Sequence, residues 1–294
     1  MNKAVGYMLI SVVGFALMNL TVKFLHRLPA TELVLFRSIT SLVLSFYFLR
    51  RRRISPWGVQ KKYLILRGLF GVSALSLFFY TLQELPLGSA ITLQYLSPIF
   101  TALFGIVLLK EKVKWWQWFF FIFSFAGIAI IKGFDASISP KLFVMGIASA
   151  MFAGLAYNFI RKVKDTDHAL VVVLYFPLIA TPVMAVISLF YWVQPVGWEW
   201  LLLLLMGVLT QIAQIYMTRA MQSAELNEIA GLKYLGVIFA LSFDLIIFDI
   251  SYNYMVLLGM LMVVGGVVLN LLFKAYLKRR KKARIAFRKS REPE

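Results

Sequence analysis

Apolar residues along this chain come in runs of about twenty, separated by short polar or proline-bearing connections. The runs predict helices near 4–25, 31–49, 63–83, 87–109, 115–132, 141–161, 169–192, 198–221, 227–248 and 252–275. Each can cross a hydrocarbon core of about 30 Å, for which about 20 helical residues suffice. Pro29, Pro86, Pro140 and Pro195 fall in the connections, where a missing N–H is tolerated. Trp115, Trp116 and Trp118 open the fifth run, and Trp192, Trp198 and Trp200 flank the connection between the seventh and eighth. Both groups suit the bilayer–water interface. The expected fold class is an all-α polytopic membrane protein with ten transmembrane helices.

The pattern also repeats. Leu17-Met18-Asn19-Leu20 is echoed by Ala156-Tyr157-Asn158-Phe159 about 139 residues later, and Gln94-Tyr95-Leu96 by Lys233-Tyr234-Leu235 at the same offset. Five spans per half is an odd number, so the second copy would enter the bilayer upside down. Two inverted five-helix repeats, 1–137 and 138–276, are therefore expected, with a basic cytoplasmic tail at 277–294. Inverted repeats that meet near the midplane are a signature of secondary transporters.

Composition supports a bilayer solvent. The chain is 61% apolar with mean hydropathy +0.81, against roughly 45–50% apolar in soluble proteins. It has no Cys and two His, His26 and His168, far apart in the chain. No disulfide framework, thiolate metal site or Cys nucleophile can be built from that, and no metal or cofactor is expected. The net charge of +18 would suit nucleic acid, but the basic residues cluster in alternate connections and the tail. That distribution follows the positive-inside rule instead and argues against a nucleic-acid partner. Arg50 to Arg53, Lys61, Lys62, Lys110, Lys112, Lys114, Arg161, Lys162, Lys164 and the tail fall on one side, while 84–88 and 193–199 hold no Lys or Arg. Both termini are expected in the cytoplasm and the protein in the plasma (inner) membrane. The first apolar run exceeds a signal-peptide core of about 7–15 residues, so it reads as the first helix of the mature protein. The tail Lys278-Arg279-Arg280-Lys281-Lys282 serves as a topology anchor or lies along an anionic leaflet.

Charged residues inside spans need a partner, a wet cavity or a route to the interface, because each costs about 2.5–3.5 kcal/mol at a helix centre. Lys233, Val237, Ala240 and Asp244 share one face of the ninth span, and the repeat maps that face onto Gln94, Pro98, Thr101 and Gly105. Lys233 reads as an anion-binding charge, or as a lysine that pairs with Glu225 or Glu228. Arg37 offers a planar fork for carboxylate or phosphate, weighed against a fixed ion pair with Asp244 or Glu32. Arg67 reads as a snorkelling residue. Tyr80 with Ser73 and Ser76, and Gln211 with Gln214 and Thr218, form polar stripes for substrate or for interhelical bonds. Asn19 and Asn158, with Gln94, Tyr95 and Tyr234, are expected to line the cavity. Asp244 is the candidate ion-pair or proton site. Gly146, Ala150 and Gly154 form a close-packing face.

With ten spans as five plus five, Arg37 early in the second, Tyr95-Leu96-Ser97-Pro98 in the fourth and Glu111 after it, the chain resembles the drug/metabolite transporter superfamily. The likeness is to its tandem EamA-like members, over roughly residues 4–275. The resemblance implies a central cavity among spans 1–4 and 6–9, with spans 5 and 10 peripheral and available for a homodimer contact. It also likens Lys233 to lysines that touch substrate in nucleotide-sugar and triose-phosphate relatives.

The resulting expectation is a secondary transporter, exporter or exchanger, of a small polar anionic or zwitterionic metabolite, with the lipid bilayer as its other partner. A lipid flippase is the alternative. An intramembrane enzyme would need a nucleophile–base or metal constellation, and the sequence carries no HExxH, GxSxG or Cys.

Overall fold

The computed structural model describes residues 3–135, 138–223 and 230–289. Its helices are α1 (Lys3–Phe24), α2 (Ala30–Arg51), α3 (Lys61–Glu84), α4 (Leu87–Gln94), α5 (Ser97–Leu108), α6 (Trp115–Phe134), α7 (Pro140–Lys162), α8 (Ala169–Tyr191) and α9 (Glu199–Ser223). A 3₁₀ turn (Ala230–Tyr234), α10 (Leu235–Ile246) and α11 (Tyr254–Lys289) follow. Among the described residues nine helical stretches are long and apolar enough to cross a bilayer, α4 and α5 together making one of them. No strand occurs among the described residues, so the fold is an all-helical, polytopic membrane architecture.

Three spans differ from the sequence expectation. The fourth is not continuous: α4 stops at Gln94 and α5 restarts at Ser97. Pro98 accounts for this, since it donates no N–H and its ring crowds the carbonyl four residues back, at Gln94. The described part of the ninth begins as a 3₁₀ turn rather than an α-helix, with no proline in it to explain this. Residues 224–229, which include Glu225 and Glu228, lie outside the described residues. The tenth does not end at 275, because α11 continues to Lys289 and takes up most of the expected tail.

Packing pairs helices from opposite halves: α1 along α9, α3 along α7, α2 against α8 and α9, and α6 against α11. Small residues set the distances. A Cβ on Gly146 would lie 2.8 Å from Leu93 Cδ1, and one on Gly154 2.9 Å from the Thr101 backbone, so the expected glycine face of α7 does meet α4 and α5. Where α6 meets α11, Gln117 reaches Asn270 (3.5 Å), Ser124 reaches the Val263 carbonyl (3.3 Å), and Gly127 lies against the Gly259 backbone. Partner numbers fall as α6 numbers rise, so these two helices run antiparallel. Phe119, by contrast, stays exposed, as lipid-facing aromatics do.

The two ends of the bundle are tied differently. At one end the α1, α3 and α9 termini and the loops meet. Lys23 Nζ donates to the Gln83 (3.0 Å) and Leu85 (2.7 Å) carbonyls, Val193 N–H donates to Glu32, and Arg27 pairs with Glu199. At the other end Arg161 pairs with Glu111, and the Asp167 carboxylate accepts Val59 N–H (2.6 Å) and Gln60 N–H (3.3 Å) ahead of α3. Residues 84–88 and 193–199 thus share an end.

Candidate functional site

The broken fourth span and the 3₁₀-led ninth meet in the interior. Tyr95 sits at the α4–α5 break and Tyr234 at the junction of the 3₁₀ turn with α10; their ring centroids are 4.9 Å apart. The Tyr95 hydroxyl donates to the Lys233 carbonyl oxygen, and a methyl group at Gly236 would collide with that hydroxyl. Glycine at 236, where the repeat has Ser97 in the first half, is thus a space requirement.

Beside this junction stand three cations. Arg37 is buried at 4% exposure, donates from Nε to Thr210 Oγ1 (3.0 Å), and lies 5.5 Å from the ring centroids of both Phe79 and Phe176. Arg67, 7% exposed, lies 5.2 Å from the Phe176 centroid. Lys233, half-buried, stands over the Tyr157 ring at 5.8 Å. Tyr157 is in turn an electrostatic neighbour of both guanidiniums. Neither Arg37 nor Arg67 enters an ion pair among the described residues, and Arg37 Nη1, Arg67 Nε and Arg67 Nη1 are buried without a hydrogen-bond partner. Contact with aromatic faces offsets part of their desolvation, at about 0.5–2 kcal/mol per pair. The remaining N–H groups are still unsatisfied, and that is chemically a place for an anion.

Two sequence expectations are corrected here. Arg37 does not pair with Asp244 or Glu32. Asp244 is fully buried and its carboxylate accepts Leu87 N–H (3.0 Å), Gly88 N–H (2.7 Å) and the Tyr252 hydroxyl, so it caps the first turn of α4. Glu32 takes the Val193 N–H. Depth along the span placed these carboxylates at the end from which Arg37 starts, but their orientation around the helix commits them to backbone donors. Arg67 does not snorkel to an interface; it turns inward onto Phe176.

The other expected residues divide. Gln94 lies within 2.8 Å of the Ser149 hydroxyl and Gln211 Nε2 donates to Ser45 Oγ (3.1 Å), so both hold helices together in this state. Gln211 Oε1 and Asn19 Oδ1 are buried and unpartnered. Asn158 donates to the Thr101 (2.9 Å) and Gly154 (3.0 Å) carbonyls, and so ties α7 to α5. Tyr80 is set apart near the end of α3, beneath the Lys141 ammonium at 5.4 Å. Gln214 is half-buried on α9, and the Thr218 side chain lies outside those described. Arg67, Tyr157 and Phe176 were missed. The available signal was an arginine inside an apolar run, together with Phe176 standing at the repeat position of Arg37.

Comparison with known proteins gives this geometry a context. The pseudopaline exporter of Pseudomonas aeruginosa is 31% identical over 228 residues, covering 76% of this chain and 80% of the exporter. Solute carrier family 35 member G1 of Homo sapiens is 30% identical over 262 residues (83% and 72%). An S-adenosylmethionine uptake transporter of Rickettsia felis is 23% identical over 238 residues (80% of each). A solved crystal structure with 18% identity superposes with a TM-score of 0.69, covering 93% of this chain and 98% of the other, and so shares the fold. The pattern of the EamA-like transporter family matches residues 2–133 and again 141–272. A chain whose two halves each fit that pattern, built as a bundle of membrane-crossing helices, is a membrane transporter, and it belongs to the EamA-like family of the drug/metabolite transporter superfamily.

Proposed function

We propose that this transporter is a secondary carrier, exporter or exchanger, of a small polar organic metabolite that is anionic or zwitterionic. It works by alternating access between two inverted five-helix units, 1–137 and 138–276. The observation that carries the reading is Arg37: a permanently charged guanidinium at 4% exposure whose Nη1 has no partner among the described residues. A fixed charge left unsatisfied inside a bilayer protein is costly unless a ligand or water uses it. Lys233 adds a second point charge in the 3₁₀ turn that meets the broken fourth span, where a backbone departing from the α-helix can line a cavity. Tyr95 and Tyr234 form the contact between units about which they rock, and Asn19, Gln94, Gln211 and Gln214 orient the ligand as other states expose them.

Antiparallel α6 and α11 support the inverted arrangement, and the distribution of Lys and Arg supports cytoplasmic termini in a plasma membrane. The end that holds 84–88 and 193–199 is then the outer one. Transport is tested by uptake of labelled organic anions into liposomes containing the purified protein. Lys233→Met at equal incorporation is expected to lose uptake. Unchanged uptake in that variant removes Lys233 from the site, and identical uptake by protein-free liposomes for every anion and zwitterion tried removes the carrier reading.

A further inference from the structure

The charges around Arg37 and Arg67 narrow the ligand further. This step rests on the carrier reading above and concerns what the same site accepts. Arg37 and Arg67 start from opposite ends of the bundle. Arg37 lies two turns into α2, whose first turn adjoins Val193 through Glu32, and Arg67 lies two turns into α3, whose start adjoins Asp167. Both side chains nevertheless reach the ring of one residue, Phe176 of α8. The ring separates the cations from water and lends each its face, but it neutralises neither.

Among the described residues, the carboxylates placed at the two ends from which these helices start are committed elsewhere. Asp244 holds the start of α4 and Tyr252, Glu32 holds Val193 N–H, Asp167 holds Val59 and Gln60 N–H, and Glu111 and Glu199 pair with Arg161 and Arg27. Arg67 is the more exposed case chemically, since both its Nε and Nη1 lack partners while Arg37 keeps Thr210. Nε and Nη1 lie on different edges of the guanidinium fork, so each edge keeps an N–H free to donate to an oxygen of a carboxylate or phosphate. Gly71, one turn along from Arg67, leaves room beside it: its added Cβ would stand 3.8 Å from Arg67 Nη1.

We infer that Arg37 and Arg67 form a two-guanidinium clamp across Phe176 that selects an organic anion carrying at least two negative charges, a dicarboxylate or a phosphate monoester. Two buried cations that share one ring repel each other, and a dianion, which brings one negative charge for each, offsets that repulsion more fully than a monoanion or zwitterion does. Arg67 is thereby a binding residue, and Phe176 a positioning residue that holds the two forks toward a common ligand.

The test is equilibrium binding to purified full-length protein at fixed ionic strength, read by thermal stabilisation. The probes are malate and 2-oxoglutarate as dicarboxylates, glycerol 3-phosphate as the monoester, lactate as a monoanion, glutamine as a zwitterion, and chloride as the salt control. At least one dianion is expected to bind tenfold or more tightly than lactate and glutamine. Arg67→Gln is expected to weaken that dianion by tenfold or more while leaving lactate within about twofold, and Arg67→Lys to restore part of the loss. If Arg67→Gln does not fold, Phe176→Leu, which keeps both charges but removes the shared ring, is read instead, with a weaker but same-signed effect expected. Dicarboxylate binding without phosphate-monoester binding, or the reverse, identifies which source of charge the clamp takes. Equal affinity for lactate or glutamine and the dianions, or dianion binding indifferent to both variants, overturns the clamp and leaves the carrier reading standing. Proteoliposomes that accumulate glutamine but no anion have the same consequence. No saturable uptake of any probe would instead strike at the carrier reading itself.

Discussion

Tyr95 and Tyr234 occupy the same place in the two halves, and their rings meet at 4.9 Å where the break in the fourth span faces the 3₁₀ turn of the ninth. The meeting is unequal. Tyr95 donates to the backbone of the second half at Lys233, and Gly236 leaves the space for its hydroxyl.

That inequality has a measurable consequence. Tyr95→Phe removes one hydrogen bond inside the bilayer, worth about 0.6 kcal/mol. Gly236→Ala drives a methyl group into the hydroxyl and is expected to cost about 1–3 kcal/mol. In the double variant the hydroxyl is gone and the nearest ring atom, Cζ, stands 3.7 Å from the new Cβ. The double variant should therefore melt above Gly236→Ala alone. Thermal unfolding in one detergent checks the order, and a double variant that melts lower than both singles contradicts it.

Asp244 is expected to behave as a helix cap rather than as half of an ion pair. Asp244→Ala strands the Leu87 and Gly88 N–H groups, at about 1–3 kcal/mol for each buried donor, whereas Asp244→Asn keeps an acceptor and should lose less. Arg37→Gln should not mimic either, since Arg37 is not its partner. Burial, and then the neighbouring carboxylate, raise the Tyr252 phenol above its ordinary value of 10. A raised value means that the protonated phenol stabilises the fold below pH 10, and that this contribution is lost as pH climbs above it. Tyr252→Phe should flatten that alkaline decline in a melting-temperature series against pH.

The α6–α11 seam depends on bare backbone. A Cβ on Gly127 would lie 2.6 Å from the Gly259 carbonyl oxygen, and one on Gly259 would lie 2.7 Å from that of Gly127. Gly127→Leu should lower the melting temperature and spread the seam, while Gly133→Leu, with nothing within 4 Å of its added Cβ, should be nearly silent. Comparable losses in the two would contradict close packing as the cause.

Topology can be read directly, because the chain has no native cysteine. Single cysteines at Glu84 and Val196 are expected to react with an impermeant thiol reagent added outside intact cells, and one at Ser55 only after the cells are opened. Opposite sidedness of Glu84 and Val196 would break the inverted arrangement.

Much of this molecule was written in its hydrophobic pattern. Runs of about twenty apolar residues located the spans because a bilayer leaves a helix no other length to be. Pro98 marked the break in the fourth span, while the change from 3₁₀ turn to α-helix at Leu235 has no proline to signal it. Arg37 and Lys233 were visible as charges where charge is costly. The identity of their neighbours was not, because a helix position gives depth but leaves its direction around the bundle to packing. Asp244 had suitable depth and faces α4; Arg67 began close to an interface and turns inward. Phe176 carries no polar atom and so no chemical signal, yet it is the surface on which both guanidiniums converge.

In the proposed cycle the junction of the α4–α5 break with the 3₁₀ turn ahead of α10 opens to each side in turn. A single cysteine at Gln94, in sealed vesicles of known orientation, measures this with an impermeant thiol reagent applied from one side at a time. Reaction from either side, with an occupying ligand changing the two rates in opposite directions, is the predicted result. Reaction confined to one side under every condition would contradict a carrier.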